Sequence, residues 1–169
     1  DFGVENMAGL FKMAKFPIVC ANYDFTGTAL EGLVKPYVIL ERNGLKIGVF
    51  GLSPILEGLV FAGNFGGVKY EDPVSSAQKV TNYLKNEAKC DVVICLSHLG
   101  WSEKGVDDQT LISKTRYIDL ILGGHSHTYF KELRYVKNLD GKEIPNDQNG
   151  KNGIYIGKLL LNFEENHSK

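Results

Sequence analysis

Two stretches of the chain share one arrangement of apolar and polar positions. Residues 92–96 (Val-Val-Ile-Cys-Leu) and 117–122 (Tyr-Ile-Asp-Leu-Ile-Leu) are short, almost continuous apolar runs, and each stops at small residues followed by histidine. Runs of this length, bounded by turn residues, predict strands buried on both faces of a sheet. Upstream, Val4, Met7, Leu10, Phe11 and Ala14 fall at helical spacing and predict a first helix, closed by Lys15 and Pro17. Residues 16–21 read as a short strand and 22–27 as a loop. Residues 36–40 and 46–50 read as two strands joined at Asn43-Gly44, a hairpin signal. The glycine-rich stretch 58–67 predicts a long irregular loop. Asp72-Pro73 opens a second helix with Val74, Ala77, Val80, Tyr83 and Leu84 on one face, and residues 107–114 predict a short third helix. Beyond His127 the pattern predicts antiparallel strands over 133–136, 142–144 and 154–163, with a frayed polar tail after them. Helices alternating with buried strands imply an α/β fold, and the hairpins at both ends imply a mixed sheet.

The strand ends carry the candidate chemistry. Gly123 and Gly124 let the chain turn without a Cβ in the way, which leaves His125 and His127 at the carboxyl end of a strand. In extended backbone, positions i and i+2 point the same way, so these imidazoles are expected to face one metal or two adjacent ones. His98 follows the neighbouring apolar run through Ser97. Only His167 of the four histidines lies elsewhere, in the tail. A lone histidine at a strand end is more often a hydrogen-bonded structural residue, but three at two strand ends favour metal, because neutral imidazole is a common transition-metal ligand. Three histidines alone suffice for one catalytic zinc with an open position. A two-metal site also needs carboxylates. Asp91 and Asp119 lie at the far ends of their strands and are expected to cap the preceding turns.

Composition narrows the partners. At 169 residues the chain fits one domain with a core of its own, and a net charge of -1 gives no electrostatic case for a nucleic-acid or membrane surface. No apolar run approaches the roughly 20 residues of a membrane span. Cys20, Cys90 and Cys95 are odd in number and widely spaced, which argues against a disulfide framework; Cys20 and Cys95, inside apolar runs, read as small core residues.

Ser97-His98-Leu99-Gly100 and Gly123-Gly124-His125-Ser126-His127 resemble the last two metal motifs of the calcineurin-like metallophosphoesterases, in the 5′-nucleotidase branch. The segments 16–22, 44–52 and 150–159 also resemble that branch's catalytic domain, so the likeness covers nearly the whole chain. The resemblance implies a mixed-sheet α/β/β/α sandwich, here its carboxyl-terminal half to two-thirds, with a partial domain over 1–165 and a polar tail at 166–169. It implies two divalent ions (Zn, Mn, Fe, Mg or Ca) that activate water and clamp a phosphate. His98 and His125 would ligate one ion and His127 the other, with Asp1 as the aspartate of a catalytic His–Asp dyad whose histidine is absent.

The family's earlier metal motifs, which carry its carboxylate ligands, would precede Asp1. The expectation is therefore weak, single-ion or no metal binding by this chain alone. The first reading is a fragment of a two-metal phosphoesterase acting on a small phosphate ester, a nucleotide in particular. It is to be completed by the amino-terminal part of the same domain and by a separate nucleotide-recognition domain. A 2′,3′-cyclic nucleotide or other phosphoester is the neighbouring substrate class. The second reading is a folded, inactive module that dimerises or recruits its missing half through exposed edge and face. The third is a mononuclear three-histidine hydrolase. The resemblance implies a periplasmic or cell-surface location.

Overall fold

The computed structural model describes residues 2–163. Asp1, assigned the dyad role by resemblance, and the tail 166–169 lie outside the described residues.

The elements follow the apolar pattern closely up to His127. They are α1 (Gly3–Met13), β1 (Ile18–Val19), β2 (Tyr23–Asp24), β3 (Val34–Lys35), β4 (Tyr37–Arg42), β5 (Leu45–Leu52), β6 (Lys69–Tyr70), α2 (Pro73–Asn82), β7 (Val92–Ser97), α3 (Asp108–Ser113), β8 (Leu120–Gly123), β9 (Arg134–Lys137) and β10 (Glu143–Gln148). A six-stranded sheet runs in the order β4-β5-β7-β8-β10-β9. Its inner strands β5, β7, β8 and β10 are parallel, and the edge strands β4 and β9 pair antiparallel. This is the expected mixed α/β sheet. Two short ladders, β1-β3 and β2-β6, stand apart from it.

Local chemistry explains the boundaries. Asn43 and Gly44 both have positive φ, and Arg42 pairs with Leu45, so a two-residue turn fixes the β4–β5 register. Asp72 caps α2 by accepting a hydrogen bond from the Ser75 N–H at 2.7 Å, with Pro73 in the first turn. The helical pattern predicted through Leu84 continues past α2 as one wider turn over Tyr83–Glu87, which still buries Leu84. The core lies between the sheet and helices α2 and α3, built from Phe50, Val80, Leu84, Val93, Cys95, Leu111, Ile112, Ile121 and Ile144. Cys95 sits in that core as expected. Cys20 does not: it is half-buried, and its thiol lies within 4 Å of Asn22 Oδ1 and Ser53 Oγ, at 3.6 and 3.8 Å.

Three local expectations are corrected. The strand over 117–122 begins only at Leu120, because Tyr117 takes a positive φ of 69°. No strand forms over 154–163: β10 already has β8 on one edge and β9 on the other, and this apolar run belongs to no ladder among the described residues. Asp91 and Asp119 do not cap turns. Each accepts a backbone N–H from the adjacent strand's end, Asp91 from Lys46 at 2.7 Å and Asp119 from Val93 at 3.0 Å, and Asp119 also pairs with Lys142 at 2.7 Å.

Candidate functional site

Parallel strands β7 and β8 are hydrogen-bonded neighbours, with Leu96 opposite Leu122, so their carboxyl ends open side by side. His98 follows β7 directly and is fixed by its N–H to the Leu52 carbonyl of β5 at 2.9 Å. His125 and His127 follow β8. Their backbone is not extended, as the i and i+2 argument assumed: φ is 75° at His125 and 56° at His127, and the Ser126 N–H bonds back to Gly124 O at 3.0 Å. The chain thus coils tightly just past Gly124 and brings the His125 ring edge-on to His98, with centroids 5.1 Å apart at 65°.

Burial, and then the neighbouring His125 and His127, lower the His98 pKa and so favour its neutral, metal-competent form. All three imidazoles border a largely apolar cavity of about 790 Å³ that runs under α1 past Met7, Phe11 and Leu30. Of the apolar stripe predicted on α1, Val4, Met7 and Phe11 line this cavity, Leu10 points away from it and Ala14 follows the helix end; of that helix only Ala8 is fully buried. Behind the cavity-lining Ser53, the fully buried Asn22 exchanges two hydrogen bonds with the Ser53 backbone at 2.8 and 2.9 Å, clamping the loop after β1 to the end of β5.

The histidine pair offers nitrogen donors suited to a transition metal, but among the described residues no group of three or more His, Cys, Asp or Glu side chains closes on one point. That removes support from the mononuclear three-histidine reading. The chain's donors fit one side of a site.

Sequence reading missed a carboxylate that lies directly behind the histidines. Asp108 is fully buried at the start of α3. Its Oδ1 accepts from Ser97 Oγ at 2.5 Å, and its Oδ2 accepts from Asn146 Nδ2 at 2.9 Å and Gln148 Nε2 at 3.0 Å. Burial raises its pKa, partly offset by these three hydrogen bonds. Gly123 is required beside it, since a Cβ there would lie 2.4 Å from Asp108 Oδ2 and 2.7 Å from Gln148 Nε2. The missed signal is that Asp108 shares a helix face with Leu111 and Ile112, at i+3 and i+4, which puts a carboxylate on the core side.

A mixed sheet with histidines at adjacent parallel strand ends is the arrangement found at open-sheet active sites. The chain belongs to the calcineurin-like phosphoesterases, in the branch that contains the 5′-nucleotidases. It is 31% identical to human 5′-nucleotidase over 98% of its own length and 31% of the human protein's. It is 30% identical to the trifunctional nucleotide phosphoesterase YfkN of Bacillus subtilis, over 92% of this chain and 11% of that one. Among solved structures, the 5′-nucleotidase precursor of Thermus thermophilus superposes with a TM-score of 0.77 at 31% identity, covering 88% of this chain and 31% of that one. The chain thus spans about a third or less of these relatives' lengths. No family model matches it.

Proposed function

We propose that the chain supplies the histidine wall of a two-metal site that hydrolyses phosphate monoesters, 5′-nucleotides in particular. The observation that carries this reading is the convergence of His98 and His125 at two adjacent parallel strand ends, in a chain of the nucleotidase branch. His98 and His125 present nitrogen to one ion and His127 to the second. Divalent ions held there supply Lewis-acid charge stabilisation and a hydroxide nucleophile near neutral pH. The chain's own part is to favour the neutral form of His98, to aim the imidazoles, and to wall the site with apolar surface that excludes water.

Divided two and one between two ions, the histidines leave each ion short of ligands, so the acidic ligands come from another segment, the amino-terminal part of the same domain by resemblance. A separate domain that recognises base and sugar, and a periplasmic or cell-surface location, follow from the same resemblance. Among the described residues no helix is long and apolar enough to cross a membrane.

One observation favours the neighbouring substrate class. A relative from Haemophilus influenzae, 31% identical over 82% of this chain, is a 2′,3′-cyclic-nucleotide 2′-phosphodiesterase/3′-nucleotidase. The reading of a folded, non-catalytic module draws on exposed apolar side chains, with Leu10 at 59% and Ile156 at 93% exposure.

Phosphate release from AMP and ring opening of 2′,3′-cyclic AMP to the adenosine monophosphate, with Zn²⁺ or Mn²⁺ present, test the proposal on the protein that carries this sequence. His125→Ala is expected to lower the rate by at least about 100-fold, since even residues that merely support metal ligands are worth 10–100-fold. An unaffected rate contradicts a ligand role, and a rate confined to the cyclic substrate reassigns the ester.

A further inference from the structure

We propose that Asp108 is the positioning residue of the site: one buried carboxylate that fixes both histidine-bearing turns through a directed chain of hydrogen bonds. Hydrogen-bond polarity decides this: burial raises the Asp108 pKa, but one hydroxyl and two amide nitrogens face its two oxygens, so the carboxyl acts as acceptor toward all three. Facing Asp108 Oδ2 at 3.0 Å, Gln148 must therefore present its amide nitrogen, which turns its Oε1 the other way, toward Ser126 Oγ at 3.2 Å. Ser126 lies between His125 and His127. With its single proton directed at Gln148, its oxygen is free to accept the Trp101 N–H at 3.0 Å and the Thr128 hydroxyl at 2.9 Å.

The other limb is built the same way. Ser97, next to His98, donates its hydroxyl proton to Asp108 Oδ1, so its oxygen accepts the Leu99 N–H at 3.1 Å. The orientations of Ser97, Asn146, Gln148 and, through Gln148, Ser126 are thus set by one accepting group. Asp108 is itself held by its N–H to Gly100 O at 3.0 Å, in the loop that leaves His98. A neutral side chain of the same shape leaves these orientations undetermined, since an amide presents oxygen or nitrogen equally well.

This deepens the metal reading and rests on it only for what the imidazoles bind. The test needs no ion. It follows amide hydrogen exchange at Leu99 and Trp101, and the imidazole ¹⁵N signals of His98 and His125, in the metal-free chain. Asp108→Asn removes no acceptor from either amide. It is nevertheless expected to speed exchange at both by about tenfold, the ratio one modest hydrogen bond supports, and to split or broaden the imidazole signals, while amides within β7 keep their protection. Gln148→Leu is expected to loosen Trp101 and to leave Leu99 unchanged.

The exchanged pair Asp108→Asn with Gln148→Glu restores a carboxylate facing an amide. The Asn146 amide, whose Oδ1 has no partner among the described residues, can turn to meet the new donor. This double variant is expected to recover sharp imidazole signals and slow exchange. Uniform acceleration across the sheet, no change in Asp108→Asn, or a double variant no better than the single one overturns the proposal. If Asp108→Asn does not fold, Gln148→Leu decides alone: Trp101 unchanged, or Leu99 equally accelerated, rejects it. These outcomes concern aim; whether the imidazoles bind metal is answered separately by ion titration.

Discussion

Gly123 sits where the strand hands over to the histidine turn, and its missing side chain is part of the site. A methyl group there would meet Asp108 Oδ2 at 2.4 Å and Gln148 Nε2 at 2.7 Å, both of them tied into the buried network. Gly123→Ala is therefore expected to cost about 1–3 kcal/mol, the usual range for overpacking a well-packed interior, as read by urea denaturation; wild-type stability would show that the network yields. The sequence placed His98, His125 and His127 at strand ends and the structure gathers them there, because a buried apolar run stopping at small residues is a local signal. The role of Gly123 was only half legible. The need for a turn was visible, but the need for space came from Asp108 and Gln148, which lie 15 and 25 positions away along the chain. Asp107-Asp108 reads as a helix start, and nothing local says that the second acid goes inward.

At the scale of elements, α3 is the short helix that carries Asp108 into place, and its own start depends on Asp107. That carboxylate accepts from the Thr110 N–H at 2.9 Å, the Ser102 N–H at 2.8 Å and Gln109 Nε2 at 3.3 Å. Burial alone would raise its pKa, but these hydrogen bonds outweigh burial and the net shift is downward from the ordinary value of 3.8. A carboxyl with a lowered folded pKa contributes stability that is complete above its unfolded value and lost as pH falls through the folded one. Asp107→Ala is thus expected to cost about 1–2 kcal/mol at pH 7, as for other helix caps. The gap to wild type should narrow only below the ordinary value of 3.8, in chemical denaturation at stepped pH; a gap that widens in acid would contradict the assignment. The β4–β5 hairpin, β7 and α2 were legible because turn residues and periodicity specify them locally. The run 154–163 was not, since an apolar segment becomes a strand only where a sheet edge is available, and periodicity cannot report that. The coil at His125 and His127 escaped for a related reason: positive φ at a histidine is uncommon, and only the surrounding contacts enforce it.

Across the molecule, one end of the sheet is stitched and the other is open. At the amino ends of β7 and β8, Asp91 and Asp119 bind neighbouring backbone and Lys142. At the carboxyl ends the histidines border an apolar cavity, with a second tier of polar side chains behind them. This polarity of construction, fixed structure at one end and presented nitrogen at the other, is what a ligand wall requires. The α/β class and the mixed sheet were readable from alternating helix and strand patterns. The depth of the site was not, because its supporting residues come from α3 and β10.

The most direct test of the histidine wall is a titration of the metal-free protein that carries this sequence with Mn²⁺, followed by paramagnetic broadening of the ring signals of His98, His125, His127 and His167. Selective broadening of His98, His125 and His127, with His167 left sharp, is the predicted result. Broadening that affects His167 as much as the other three, or that spares all of them, would contradict it.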